Sequence, residues 1–146
     1  RRQRQMCIRD SLTVVDLDVE RAGALARELG DRYREARVEA SSFDKLSVLL
    51  PEANGVAHAT PVGMAEHPGI AFDATLLHPD LWVADIVYRP LDTALLQAAR
   101  AAGCRTLDGG HMAVAQAVDA FELITGVAPD AARMSRHFRQ LVANAS

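Results

Sequence analysis

The chain has 146 residues, enough for one ordinary domain that buries a core. Its 16 basic and 19 acidic residues leave a net charge of −3, which gives no reason to expect nucleic acid or an anionic membrane as a partner. No apolar run approaches the roughly 18 residues of a membrane span. No secretory signal is visible, and Cys7 and Cys104 lack metal-like spacing, so a reduced, cytoplasmic setting is expected.

Residues 1–11 look foreign to the rest of the chain. Four arginines, Arg1, Arg2, Arg4 and Arg9, crowd a stretch with no apolar period. Residues 6–11, MCIRDS, also match one translated frame of a transposon adapter used in preparing sequencing libraries. The rival reading is a basic arm that grips an acidic partner. The expected division is therefore a leader, 1–11, and a domain, 12–146.

From Leu12 onward, short apolar runs alternate with amphipathic stretches. Leu12–Val15 reads as a strand ending in Asp16-Leu17-Asp18. Apolar residues at 22, 25, 26 and 29 predict a helix from Val19 to Leu29, with Gly30 as its stop. A weak strand is expected near Ala36–Ala40, then a helix capped by Ser41 or Ser42 and running to Leu50. Gly55–Ala59 is the next strand, and a loop with prolines and glycines follows over 60–80. Leu81–Tyr88 is the strongest strand, apolar apart from Asp85 and its final Tyr88. Asp92 is expected to cap a helix to Ala102, Arg105–Leu107 is a last short strand, and helices over His111–Thr125 and Asp130–Ala143 close the chain.

That alternation argues for a parallel sheet covered on both faces, an α/β fold. In dinucleotide-binding domains an acidic residue at a strand end accepts hydrogen bonds from the adenosine ribose, about 20 residues after a glycine-rich turn. Asp16 occupies such a place, yet no Gly-x-Gly-x-x-Gly occurs in the chain. The expected architecture is thus an incomplete doubly wound sheet, Rossmann-type, lacking its first strand and glycine-rich turn and ending in a helix pair. Asp16 alone is a weak signal, since a solvated carboxylate at a strand end is common and methyltransferases also place an acid there.

Three strings add to it: HATPVGM at 58–64, ADIVYRP at 84–90 and DGGHMAVAQ at 108–116. Thr60 and Tyr88 each follow a strand end, at the carboxyl edge where open parallel sheets bind ligands. Pro61 fixes the backbone and Gly63 permits close approach. Gly109-Gly110 opens a helix, whose free amides suit a carbonyl or carboxamide. Each string also fits an ordinary turn, packing residue or helix start.

In this order and spacing, the strings resemble the C-terminal, NAD(P)-binding half of shikimate and quinate/shikimate dehydrogenases, over roughly Leu12 to Leu141. The resemblance implies that Thr60 lies near the cofactor, that Ile86 lies against the nicotinamide and that Met112 packs beside that ring. It implies that the Gly109 backbone meets the carboxamide, that Tyr88 faces the substrate and that Gln116 hydrogen-bonds a substrate hydroxyl. His58 stands where the family usually has Asn, and Gly110-His111 replaces a commoner Leu-Gly pair. The acid–base lysine and aspartate of the family belong to a substrate domain outside this chain, so no catalytic residue is expected here and the chain alone is expected to be inactive. No metal site is expected.

Asp16-Leu17-Asp18 stands where NADP-using members carry Asn-Arg-Thr, and resembles the NAD-preferring branch. A 2′-phosphate beside Asp16 would meet like charge, about 4 kcal/mol at ~4 Å and an effective dielectric near 20. NAD is therefore the expected cofactor, with Arg21 able to cover the ribose or adenine and to rescue some NADP binding. The expected partner is a small molecule, shikimate or quinate, between which these residues do not choose. The other readings are a non-catalytic nucleotide-binding module and another Rossmann-type dehydrogenase.

Overall fold

The computed structural model describes residues 11–144, so the expected leader lies almost wholly outside the described residues. The chain divides into two compact units, the first reaching Leu49 and the second starting at Leu50.

In the first unit, β1 (Ser11–Asp16) pairs in parallel with β2 (Arg37–Ser42), Asp16 opposite Ser42. Between them runs α1 (Val19–Arg32), started by Asp18, whose carboxylate accepts from the amides of Glu20 and Arg21. The helix runs through Gly30, the expected stop, because glycine inside a helix costs only about 1 kcal/mol relative to alanine. It ends at Tyr33, whose amide bonds back to the Leu29 carbonyl. The helix expected to reach Leu50 is broken. β2 extends through Ser42, whose hydroxyl bonds Asp44 instead of capping, and a 3-10 turn (Phe43–Lys45) precedes the single turn of α2 (Leu46–Leu49).

The second unit begins with another 3-10 turn, Leu50–Glu52, and holds a three-stranded parallel sheet. Its strands are β3 (Gly55–His58), β4 (Trp82–Asp85) and β5 (Arg105–Leu107), in that spatial order. Of its two parallel crossovers, the one from β4 to β5 carries a helix, α3 (Ala94–Ala101), while the one from β3 to β4 holds only a 3-10 turn, Ala74–Leu76. The core gathers around α3 and β4, where Val83, Leu95, Leu96 and Ala99 are buried together with Leu77 and Leu81 of the segment before β4. Two further helices follow, α4 (Gly109–Thr125) and α5 (Ala131–Asn144), with Gly126 in the left-handed conformation (φ 69°) that ends α4.

The strand expected over Leu81–Tyr88 is only four residues long. The Ile86 amide still reaches the His58 carbonyl at 3.1 Å, but the Val87 amide turns to the Asp85 side chain, also at 3.1 Å. A side chain inside the run thus competes for the backbone and ends the ladder. The cap of α3 is Thr93, whose hydroxyl accepts from the Leu96 amide, while Asp92, the expected cap, pairs with Arg100.

The units differ in what holds them. Among the described residues of the first, only Ala22 and Ala26 are buried, and Leu12 and Leu25 stay about half exposed. Two strands, one long helix and a single helical turn with so little apolar burial are marginal by themselves. Amide exchange followed by NMR should therefore show Leu12–Val15 exchanging much faster than Val83 and Ala84. Equal protection at both sites would mean that the first unit is as stable as the second.

Candidate functional site

All three strands of the second unit run parallel, so the segments that leave their carboxyl ends emerge along one edge of the sheet. These segments begin at Ala59, Ile86 and Asp108, and they carry Thr60, Ile86, Tyr88 and Gly109. The edge is built around Asp85. This side chain is buried and accepts from three donors: His58 Nδ1 at 3.0 Å, the Val87 amide at 3.1 Å and the Thr93 hydroxyl at 2.7 Å. Burial by itself raises the Asp85 carboxyl. The hydrogen bonds from His58, Thr93 and the Val87 amide outweigh it, and the acid sits below the usual carboxylate range.

His58 is as buried as Asp85, and its Nε2 lies 2.7 Å from the Thr60 hydroxyl. Thr60 also accepts from the Val62 amide at 3.2 Å, which tightens the turn into Pro61. Beyond it, Gly63 adopts φ 100° and is buried, a conformation that a side chain would strain. The sequence marks Asp85 as the one charge in an apolar strand but carries no sign of its partners. Sequence reasoning misses Thr93 altogether, because a threonine in a loop carries no signal until its neighbours are known.

At the start of α4, Asp108 caps the helix by accepting the Gly110 amide at 3.0 Å, so the Gly109 amide stays outside that cap. Gly109 is pressed onto the outgoing backbone of β4: a Cβ there would stand 2.3 Å from the Ile86 carbonyl oxygen. Only glycine lets the helix start come so close. His111 Nδ1 also reaches Asp108, at 3.2 Å, and Arg139 of α5 stands 3.3 Å from His111 Nε2. Since Arg139 can only donate, His111 accepts at Nε2 and donates from Nδ1. His111 is thus part of the tie between α4 and α5.

Around this polar edge three large side chains stay in solvent: Ile86 and Met112 at 40 % and Tyr88 at 49 % exposure. The Tyr88 ring leans on Phe138 with centroids 6.5 Å apart. Gln116 is exposed one turn beyond Met112 on α4. An apolar surface of Ile86 beside a glycine-opened helix start, edged by a threonine and a tyrosine, suits a flat ring bearing a carboxamide. Two shallow depressions occur elsewhere, one lined by Gly23, Ala26 and Val38, the other by Trp82, Arg105 and Leu107. Neither includes Thr60, Ile86 or Gly109.

In the first unit, Asp16 ends β1 and Arg21 lies in the first turn of α1. Arg21 grips Asp16 as a fork, Nε to Oδ2 at 3.1 Å and Nη2 to Oδ1 at 3.0 Å, and the Asp18 amide adds a bond at 3.0 Å. The hydrogen bond from Arg21, then that from the Asp18 amide, holds the Asp16 carboxyl below its ordinary value. Asp16 is ionised and partly exposed; Oδ1 already accepts twice and Oδ2 once, which leaves one lone pair on Oδ2. The two residues expected to touch a nucleotide separately are bonded to each other.

The depressed acidity of Asp85 sets a pH dependence. An acid whose folded pKa lies below its unfolded one contributes stability above the ordinary carboxylate range, near about 4, and loses it as pH falls through the folded value. Stability should therefore drop in acid below pH ~4, and Asp85→Asn should flatten that part of the curve while lowering stability at neutral pH. Urea melts of both proteins across acid pH check this; parallel curves would contradict it.

No family model matches the chain. Its sequence is 56% identical over 135 residues to shikimate dehydrogenase (NADP(+)) of Streptomyces avermitilis, covering 92% of this chain and 46% of that protein. It is 48% identical over 130 residues to quinate/shikimate dehydrogenase (NAD(+)) of Corynebacterium glutamicum, covering 89% of the chain and 46% of that protein. The solved structure of quinate dehydrogenase from Corynebacterium glutamicum in complex with NAD superposes with a TM-score of 0.85 at 46% identity, over 90% of this chain and 46% of that one. The chain thus spans about half the length of the relatives it matches. Parallel strands, intervening helices and sequence agree, and the chain belongs to the family of shikimate and quinate/shikimate dehydrogenases.

Proposed function

We propose that this chain is the dinucleotide-holding half of an oxidoreductase that moves hydride between NAD(P) and shikimate or quinate. The observation that carries the reading is the carboxyl edge of β3 and β4, where Thr60, exposed Ile86, Tyr88 and the close-packed Gly109 share one end of the sheet. Bound there, a nicotinamide would supply the hydride acceptor. Ile86 and Met112 would cover its ring, the Gly109 backbone would meet the carboxamide, and Thr60 would line the cofactor. Tyr88 and Gln116 would contact the substrate. The proton-transferring lysine and aspartate would come from the part of the relatives' length that this chain does not span. The chain alone is therefore expected to turn over neither shikimate nor quinate.

In the first unit, Asp16 would accept from the ribose hydroxyls, and NAD is the preferred cofactor in this reading. The fork from Arg21 qualifies the reason. With a guanidinium 3.0 Å away, the pair carries little net charge, so repulsion of a 2′-phosphate is weaker than a bare carboxylate would give. Discrimination then rests on the lone pair that Asp16 keeps on Oδ2 for a hydroxyl, and on any freed when the fork loosens, and NADP remains usable. The relatives named for NADP and for NAD, at 56% and 48% identity, fit a chain with modest preference.

The test joins this chain to the other half of a quinate/shikimate dehydrogenase and compares it with the chain alone in assays of NADH and NADPH formation. Activity is expected only in the joined protein. Turnover by the chain alone with shikimate or quinate would overturn the assigned division of labour. In the joined protein, Asp16→Asn should weaken NAD and raise absolute NADP use, because a charge-assisted hydrogen bond is about twice as strong as a neutral one. Adding Leu17→Arg should bring the preference to parity or past it. An NAD/NADP ratio that stays put in both variants would reduce Asp16 to a local capping role.

A further inference from the structure

A chain of hydrogen bonds runs from Thr60 into the protein, and its donors can be ordered from the buried end. Asp85 is an ionised carboxylate and can only accept; it takes the Val87 amide and the Thr93 hydroxyl. Its third neighbour, His58 Nδ1 at 3.0 Å, must therefore carry a hydrogen. A bare nitrogen there would set lone pair against lone pair in a site where His58 is 4% and Asp85 2% exposed. In the neutral ring Nε2 is then bare, and Thr60 Oγ1 at 2.7 Å has to donate to it. The same oxygen already accepts from the Val62 amide. The hydroxyl hydrogen is spent inward, and what remains is one lone pair.

We propose that His58, oriented by Asp85, is a positioning residue that takes up the Thr60 hydroxyl hydrogen, so that Thr60 meets a ligand as an acceptor only. Thr60 then selects ligand groups that donate, a hydroxyl or an amide N–H, and disfavours phosphate and carboxylate oxygens. The identity of the ligand rests on the dinucleotide reading above; the hydrogen-bond order does not.

The test uses the ¹⁵N-labelled chain without ligand, at a pH where the ring is neutral, and reads both His58 nitrogens in long-range ¹H–¹⁵N spectra. Nδ1 is expected to be protonated and Nε2 bare, its resonance displaced by the Thr60 hydrogen bond. Thr60→Val should move Nε2 toward the position of an unbonded nitrogen and leave Nδ1–H in place, and Thr60→Ser should restore it. Protonation at Nε2, or an Nε2 resonance indifferent to Thr60→Val, overturns the proposal.

Addition of NAD gives the second reading. If Thr60 accepts from the ligand, Nε2 keeps its wild-type resonance, and Thr60→Val weakens NAD by roughly three- to tenfold, the worth of one neutral hydrogen bond. A move of Nε2 to the Thr60→Val position on binding would mean that the hydrogen had turned to the ligand, and would overturn acceptor-only recognition. An absence of any NAD-induced shift along Ala59–Gly63 and Ile86–Tyr88 would instead defeat the dinucleotide reading, while the ligand-free spectra still decide the hydrogen-bond order.

Discussion

The carboxylate of Asp85 is the point on which the carboxyl edge of the second unit's sheet depends. One side chain at the end of β4 bonds the end of β3 through His58, its own outgoing backbone through Val87, and the start of α3 through Thr93. Hydrogen bonds to a charged acceptor contribute about 1.5–3 kcal/mol each, and leaving a buried charge without its partner costs several. Ending the strand at Asp85 is therefore inseparable from placing Ile86 and Tyr88 where they are. Thr93 serves twice, capping α3 while donating to Asp85, so the helix cannot shift without disturbing the edge. The exposed groups proposed to face the ligand are thereby held by a core they do not belong to, which suits a surface that must be ready before a ligand arrives.

Asp16 is the opposite case. It also ends a parallel strand and is also ionised, but its partner is the exposed guanidinium of Arg21, 72% open to solvent. Water screens that pair, and an exposed bond of this kind contributes little to stability. On the proposed reading, what it does instead is tune recognition. A fork that is easily loosened lets Asp16 offer lone pairs to hydroxyls without setting a hard electrostatic barrier to phosphate. The two acids thus divide along burial, one fixing architecture and the other, in the proposed role, adjusting selectivity.

Much of this is legible in the residues, and the reasons for the rest are physical. The alternation of short apolar runs and amphipathic stretches carries the parallel α/β order, and Arg105–Leu107 matches β5 residue for residue. Thr60 and Gly109 stand just after short apolar runs whose close is visible, whereas Ile86 and Tyr88 lie inside the run read as one strand and come to the edge because β4 ends early. Boundaries set by side chains are not visible. Asp85 ends β4 three residues before the apolar run does, Thr93 outcompetes Asp92 for the α3 cap because Arg100 occupies Asp92, and Gly30 stays helical. His58 stands out as a departure from the family's asparagine, yet its burial against an acid from another strand needs the fold. The pairing of Asp16 with Arg21 needs only one helical turn. Assigning each of them to the ligand separately hides that they are within reach of each other.

On the proposed reading, the carboxyl edge organised by Asp85 is where a nicotinamide dinucleotide meets this chain. Mapping backbone amide shifts of the labelled chain during titration with NAD tests that claim most directly. The largest shifts are expected at Thr60–Gly63, Ile86–Tyr88 and Gly109–Met112 in the second unit, and at Asp16–Asp18 in the first. Shifts concentrated instead around Trp82, Arg105 and Leu107, with that edge unmoved, would contradict it.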